Sequence, residues 1–157
     1  MSLTIGKDAF RNNQITNITI PSDISSIDDG AFSENPVTLV DFEEGLNSID
    51  NIKFGDVFDN TNTNIKVDLA NTNIHTVPDD TFSNFSELTE IVFPDTITLI
   101  EENSFDNTDN IINIALEPGG STYPTVLVPK IGQGLYDDIP SAVVDFNPST
   151  FKNSNFD

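Results

Sequence analysis

Cysteine is absent from the 157 residues, which excludes disulfides, thiolate catalysis and cysteine-ligated zinc. Tryptophan is absent too, and histidine occurs once, as His75. A single imidazole excludes histidine-rich metal centres and any mechanism that needs two of them. Basic residues are scarce: 6 Lys and Arg stand against 26 Asp and Glu, a formal charge of −20. A chain this anionic gains nothing from a phosphate backbone or an anionic membrane, because each contact adds like-charge repulsion. No nucleic-acid partner and no membrane insertion are expected. No run approaches the length of apolar sequence that a spanning helix needs, and no leader-peptide pattern is visible. Phenylalanine, by contrast, is abundant. Its 12 rings, in a chain that is 36 % apolar, are material enough for a core.

The rings recur at fixed places. The stretch from Ile20 to Phe32, IPSDISSIDDGAF, has the apolar spacing of Phe93–Phe105 (FPDTITLIEENSF) and Ile139–Phe151 (IPSAVVDFNPSTF). Phe42–Phe54 matches without the proline, and Leu69–Phe82 matches with one extra residue. The third apolar position of this frame falls on Ile5, Ile27, Ile49, Val77, Ile100 and Phe146. Five residues later come Phe10, Phe32, Phe54, Phe82, Phe105 and Phe151. The gap from Phe105 to Phe151 holds one degenerate unit over 118–138, whose frame is Tyr123 with Val128. A second block, apolar-x-x-apolar-x-apolar, precedes each frame: Ile15, Ile18, Ile20; Val37, Val40, Phe42; Leu88, Ile91, Phe93; Ile111, Ile114, Leu116. In the third unit Ile65 lies one place out of register before Val67 and Leu69, and the block near 135–139 is poorer. Phe54 and Phe58 compete for one ring position.

Segments such as Thr16–Ile20 and Thr89–Phe93 alternate with period two and are rich in β-branched residues, so they read as short strands. One strand per unit of constant period fits a solenoid whose strands stack in parallel, one per coil. The spacing from the frame isoleucine to phenylalanine is too short for a long helix. It predicts a turn with a short helical or 3₁₀ segment on the outer side, the ring pointing inward. Asp28-Asp29, Asp79-Asp80 and Glu101-Glu102 sit where a first helical turn favours carboxylates. Pro21, Pro94 and Pro140 follow strands, where a missing amide donor ends the ladder. The fold expected is an α/β solenoid, a right-handed coil of six or seven turns with a parallel sheet on its concave face.

Together, L-x-x-L-x-L followed by I-P-x-x-I-x-x-I-x-x-x-A-F resembles the leucine-rich repeat superfamily, and more closely its BspA-like (Treponema pallidum-type) class. Ile5–Phe10 (IGKDAF) and Ile27–Phe32 (IDDGAF) carry the likeness best. The chain departs from the class by its asparagine-rich stretch at Arg11-Asn12-Asn13, where the class often has cysteine. The small residue before Phe, kept at Ala9 and Ala31, becomes Val57, Thr81, Ser104 and Thr150 elsewhere. The resemblance implies a secreted, cell-surface or wall-attached adhesion module, bacterial in source, and not an enzyme. The patterned sequence at both ends reads as one solenoid, 1–157, cut from a longer protein. Open ends of that kind make self-association conceivable.

Strands stacked in register align their outward residues in columns. One column is Asn17, Leu39, Lys66, Glu90 and Asn113; the next is Thr19, Asp41, Asp68, Val92 and Ala115; a third contains Glu43. The expected ligand surface is Thr19, Leu39, Asp41, Glu43, Lys66, Asp68, Glu90, Val92, Asn113 and Ala115, with Leu39 and Val92 exposed. Extended faces of this kind are where solenoids bind, and the charge favours a basic partner. The partner class is a host or matrix protein or a glycan; the alternative is a spacer that projects another binding domain.

No cofactor is expected, although calcium has two candidate segments. Asp59–Asn64 and Asp106–Asn110 offer hard oxygen ligands, but neither has the central glycine and terminal glutamate of a complete loop. Asn and Asp also serve turns. Catalysis finds no support: Glu43-Glu44 and Glu101-Glu102 are adjacent in sequence and point apart, and no nucleophile turn accompanies His75.

Overall fold

The structure is a computed structural model that describes residues 2–59, 63–101, 103–108 and 110–111, with the strand backbones at 113–116, 126–129 and 144–146. Short strands stack in parallel into a solenoid. Its main sheet has five strands in chain order: β2 (Asn17–Ile20), β4 (Leu39–Phe42), β5 (Ile65–Asp68), β7 (Leu88–Phe93) and β9 (Asn113–Leu116). Four full turns separate β2 from β9. A second set of strands runs along the coils after the main sheet. It comprises β1 (Leu3–Ile5) paired with β3 (Ile24–Ile27), and β6 (Thr76–Val77), β8 (Leu99–Ile100), β10 (Val126–Pro129) and β11 (Val144–Phe146) in a row. The only helix among the described residues is α1 (Phe54–Val57), a single turn.

Alternation puts one residue in two inside. In β2 the order is exposed Asn17, buried Ile18, exposed Thr19, buried Ile20. The frame residues follow into the same core: Ile24, Leu46, Ile74 and Ile97, then Ile27, Ile52, Val77 and Ile100, are all buried. The phenylalanines form a continuous file through it. Phe10 stacks on Phe32 at 5.2 Å, Phe32 on Phe58 at 5.7 Å, Phe54 on Phe82 at 4.7 Å, and Phe82 on Phe105 at 5.0 Å. Stacked rings at this spacing add favourable contact beyond the area they bury.

The return path is built of turns, as expected, with helix confined to α1 in the third coil; at Asp28-Asp29 and Asp79-Asp80 the turns do not continue into a helix. The path there is a pair of tight turns, each closed by an i to i+3 bond: Ala9 N to Gly6 O and Arg11 N to Asp8 O, Ala31 N to Asp28 O and Ser33 N to Gly30 O, Thr81 N to Pro78 O and Ser83 N to Asp80 O. Left-handed residues recur four apart, at Asp8 and Asn12, Gly30 and Glu34, Asp80 and Asn84, Asn103 and Asn107. Glycine adopts that conformation freely, and Asn and Asp tolerate it best among the rest. The turns also hydrogen-bond from coil to coil at alternate residues: Asp8 N to Asp29 O, Phe10 N to Ala31 O and Asn12 N to Ser33 O, with Phe82 N to Ser104 O and Asn84 N to Asp106 O further on. Each coil is thus zipped to its neighbour on the strand side and the turn side alike.

Two seams needed polar side chains. Asn35 is fully buried; its Oδ1 accepts from Asn13 N and Ile15 N while its Nδ2 donates to Phe10 O, Phe32 O and Ser33 O. Ser104, also buried, donates its hydroxyl to Glu101 O and Pro78 O.

The third coil departs from the sequence expectation. Ile27 bridges Ile52, not Ile49, so three inserted residues precede the frame position, although Ile49 is buried as well. Phe54 and Phe58 do not compete: α1 carries both inward, Phe58 stacking towards Phe32 and Phe54 towards Phe82. Gly55 lies so close to the next coil that a Cβ there would collide with the backbone of Ser83 and Asn84. The displaced Ile65 is absorbed by a register shift: Ile65 pairs with Leu88 and Lys66 with Glu90, leaving Thr89 as the extra residue. In the degenerate unit, Leu127 pairs with Leu99, so Val128, and not Tyr123, follows in the place of Ile100. Phe146 pairs with Pro129, one residue beyond Val128, across a register shift. Tyr123, the block at 135–139, Pro140 and Phe151 lie outside the described residues.

Candidate functional site

The outward columns of the main sheet form as read from the sequence. Asn17 pairs with Leu39, Leu39 with Lys66, Lys66 with Glu90, and Glu90 with Asn113. Thr19 pairs with Asp41, Asp41 with Asp68, Asp68 with Val92, and Val92 with Ala115. Thr19 and Glu43 are exposed; Leu39, Asp41, Lys66, Asp68 and Glu90 are half-buried. Val92 is a correction. It is only 7 % exposed, because a short β-branched side chain on a strand flanked on both sides is covered by its neighbours, so it offers no apolar contact point. Asn113 and Ala115 are placed by backbone register alone.

This face is acidic around one cation. Lys66 Nζ lies 3.4 Å from Asp68 Oδ2 and 3.4 Å from Glu90 Oε1. Partial burial pulls the Lys66 ammonium down, but Glu90 and then Asp68 more than offset this and hold it above its ordinary value. Asp41 has no such counterion among the described residues: its Oδ1 accepts from Phe42 N at 2.8 Å. Asp68 Oδ1 accepts from Ala70 N at 3.1 Å. Asp41 and Asp68 are register partners, hence on strands about 4.8 Å apart, and like charges so placed repel. Glu43 adds a third carboxylate along the same edge and binds Ser22 N through Oε2 at 3.1 Å.

The remaining candidates resolve into structural roles. His75 is exposed, its Nδ1 2.9 Å from Thr96 O. Of the calcium segments, Asn107 donates to Asn84 Oδ1 and Asn110 to Ser86 O; residues 60–62 and 109 lie outside the described residues. Among the described residues no three His, Asp or Glu converge as metal ligands. Sequence reasoning missed an open groove of about 570 Å³ on the turn side, lined by Asp8, Arg11, Asp29, Gly30, Gly55 and Asp56 among others. Its signal was Gly30, at the left-handed turn place where other coils carry Asp8, Asp80 and Asn103.

The repeat frame and the stacked geometry have a counterpart in the BspA-type leucine-rich repeat region, whose family model matches residues 3–124 as six copies. The chain belongs to this family. BspA-type repeats are protein-interaction or adhesion modules, generally non-catalytic scaffolds and typically found in bacterial surface proteins. No significant match exists among curated proteins or solved structures. No helix among the described residues is long and apolar enough to cross a membrane.

Proposed function

We propose that this BspA-type solenoid is a non-catalytic recognition module of an extracellular, cell-surface or wall-attached bacterial protein, one solenoid within a longer polypeptide. Its partner is a host or matrix protein, or a glycan, bound on the outward face of the main sheet. One observation carries the reading: Asp41 and Asp68 stand side by side on neighbouring strands, flanked by Glu43 and Glu90. Two carboxylates in register repel across the sheet, and only Asp68 has a cation beside it, Lys66. A basic segment of a partner protein laid across the strands would neutralise both. The attraction would act mainly on the association rate and weaken with salt.

The test is binding of this chain to immobilised matrix proteins and to a glycan array, repeated with Asp41→Asn. The variant should bind more weakly, by about tenfold or more at low salt. It should also fold slightly more stably, by about 0.2–1 kcal/mol, since a repulsion is removed. Unchanged binding by Asp41→Asn would refute the site. The second reading is a spacer that projects another binding domain. The hydrogen bonding of coil to coil on both sides favours it, since it stiffens the solenoid along its axis. Absence of any ligand for this chain, with binding carried elsewhere in the longer protein, would select the spacer.

A further inference from the structure

We propose that the groove on the turn side is a second binding site, and that it takes an organic cation carrying several ammonium or guanidinium groups. The groove runs over the turns of successive coils, and its volume of about 570 Å³ is that of a small-ligand pocket. Gly30 and Gly55 both line it. Gly30 leaves open the space above its Cα, where a Cβ would collide with Asp8 Oδ1 and lie 3.5 Å from Ser33 Oγ. Ser33 lines the groove and is only 4 % exposed, yet its hydroxyl has no hydrogen-bond partner among the described residues. Ser83, at the same place of a later coil, donates its hydroxyl to Asp80 O at 3.1 Å. A buried polar group without a partner is rare in a native structure, because it costs free energy. A ligand N–H reaching into the groove would supply the bond that Ser33 Oγ lacks.

Charge identifies the ligand class. The lining carries Asp8, Asp29, Asp56 and Asp59 against Lys7 and Arg11. Arg11 is already engaged by Asp8 and Glu34. Asp29 and Asp56 are exposed, and neither carboxylate has a cation or donor beside it among the described residues. Asp8, Asp29 and Asp56 stand on successive coils, since Asp8 N donates to Asp29 O and Gly30 N to Asp56 O. Neighbouring coils lie about 4.8 Å apart, so these carboxylates form a row and not a cage. Among the described residues no three of them converge as metal ligands. A row of carboxylates suits positive groups spaced along a chain, as in a polyamine or in the side chains of a basic peptide, each making a charge-assisted bond. The groove shares no residue with the outward columns of the main sheet.

The experiment is calorimetric titration of the 157-residue chain with spermidine and with an oligolysine peptide at about 20 mM salt. It is run in the Asp41→Asn background, which sets aside the proposed site on the sheet. The expected result is saturable binding at a single site. Ser33→Ala, and Asp29→Asn together with Asp56→Asn, should each weaken it by about tenfold. Asp95→Asn, which removes an exposed carboxylate outside the groove, should leave it unchanged. Ser33→Ala should not lower the melting temperature, since it removes a hydroxyl that the fold leaves unpaired. Preference for spermidine identifies a free polyamine, and preference for the peptide identifies basic side chains of a partner. Equal weakening by Asp95→Asn would reduce the binding to diffuse attraction by a −20 chain and overturn the proposal. Absence of binding, or full displacement of both probes by an equal concentration of calcium, would do the same.

Discussion

Glu34 stands at a backbone position that other coils give to asparagine. Asn12, Asn84 and Asn107 hold the second left-handed place of their turns with φ of 55, 55 and 56°, and Glu34 holds it at 58°. A side chain without asparagine's short amide is strained there by roughly 1–2 kcal/mol. Glu34 has a compensating ion pair with Arg11, exposed on both sides. In high salt, which screens that pair, Glu34→Asn should therefore raise the unfolding free energy by about 1 kcal/mol in a urea titration; a loss would mean that the turn does not constrain this residue. The rings give a second test at the same scale. Phe32→Ala and Phe105→Ala should each cost about 3–5 kcal/mol, and Phe10→Ala less than about half as much, because only the first two are enclosed. Equal costs at all three positions would contradict the ring file and its open end.

At the scale of elements, strands were legible and turns were not. A strand announces itself through period-two alternation, and both outward columns, from Asn17 to Asn113 and from Thr19 to Ala115, could be written down with no coordinates. Turn conformation is encoded more thinly, in whether Asp, Asn or Gly occupies a left-handed place. The carboxylates at 28–29 and 79–80 imitate a helix start closely enough to mislead. In the third coil Ile49 and Ile52 are equally apolar and both buried, so periodicity does not say which bridges Ile27. Val92 differs from expectation for a related reason: alternation gives the side a residue faces, but not how far its neighbours cover it. The proposed recognition face is legible to the same degree as the strands, since its residues lie in the columns. Its chemistry depends on side-chain placement that the pattern does not hold, such as Lys66 lying between Asp68 and Glu90 while Asp41 faces Asp68.

For the whole molecule, the governing numbers are a charge of −20 and a core shared between coils. No coil buries its apolar residues alone, so stability resides in the contacts between neighbours. Self-repulsion opposes them throughout. Raising salt from about 10 mM to about 150 mM should raise the melting temperature, because screened repulsion outweighs the few ion pairs that salt weakens. A fall would show that pairs such as Lys66 with Asp68 and Glu90 matter more than the net charge. The central claim is that outward residues of successive coils stand side by side in one acidic face. The absence of native cysteine allows a direct measurement, since any introduced pair is the only pair present. Residues in register on adjacent strands lie within the Cα separation that a disulfide spans, about 4.4–6.8 Å, whereas residues offset by two along the strand lie about 7–8 Å apart. On mild oxidation, the pair Thr19→Cys with Asp41→Cys should close an intramolecular disulfide, and the pair Asn17→Cys with Asp41→Cys should stay reduced. Closure of the offset pair in preference to the register pair would contradict the stacking on which the proposed recognition face depends.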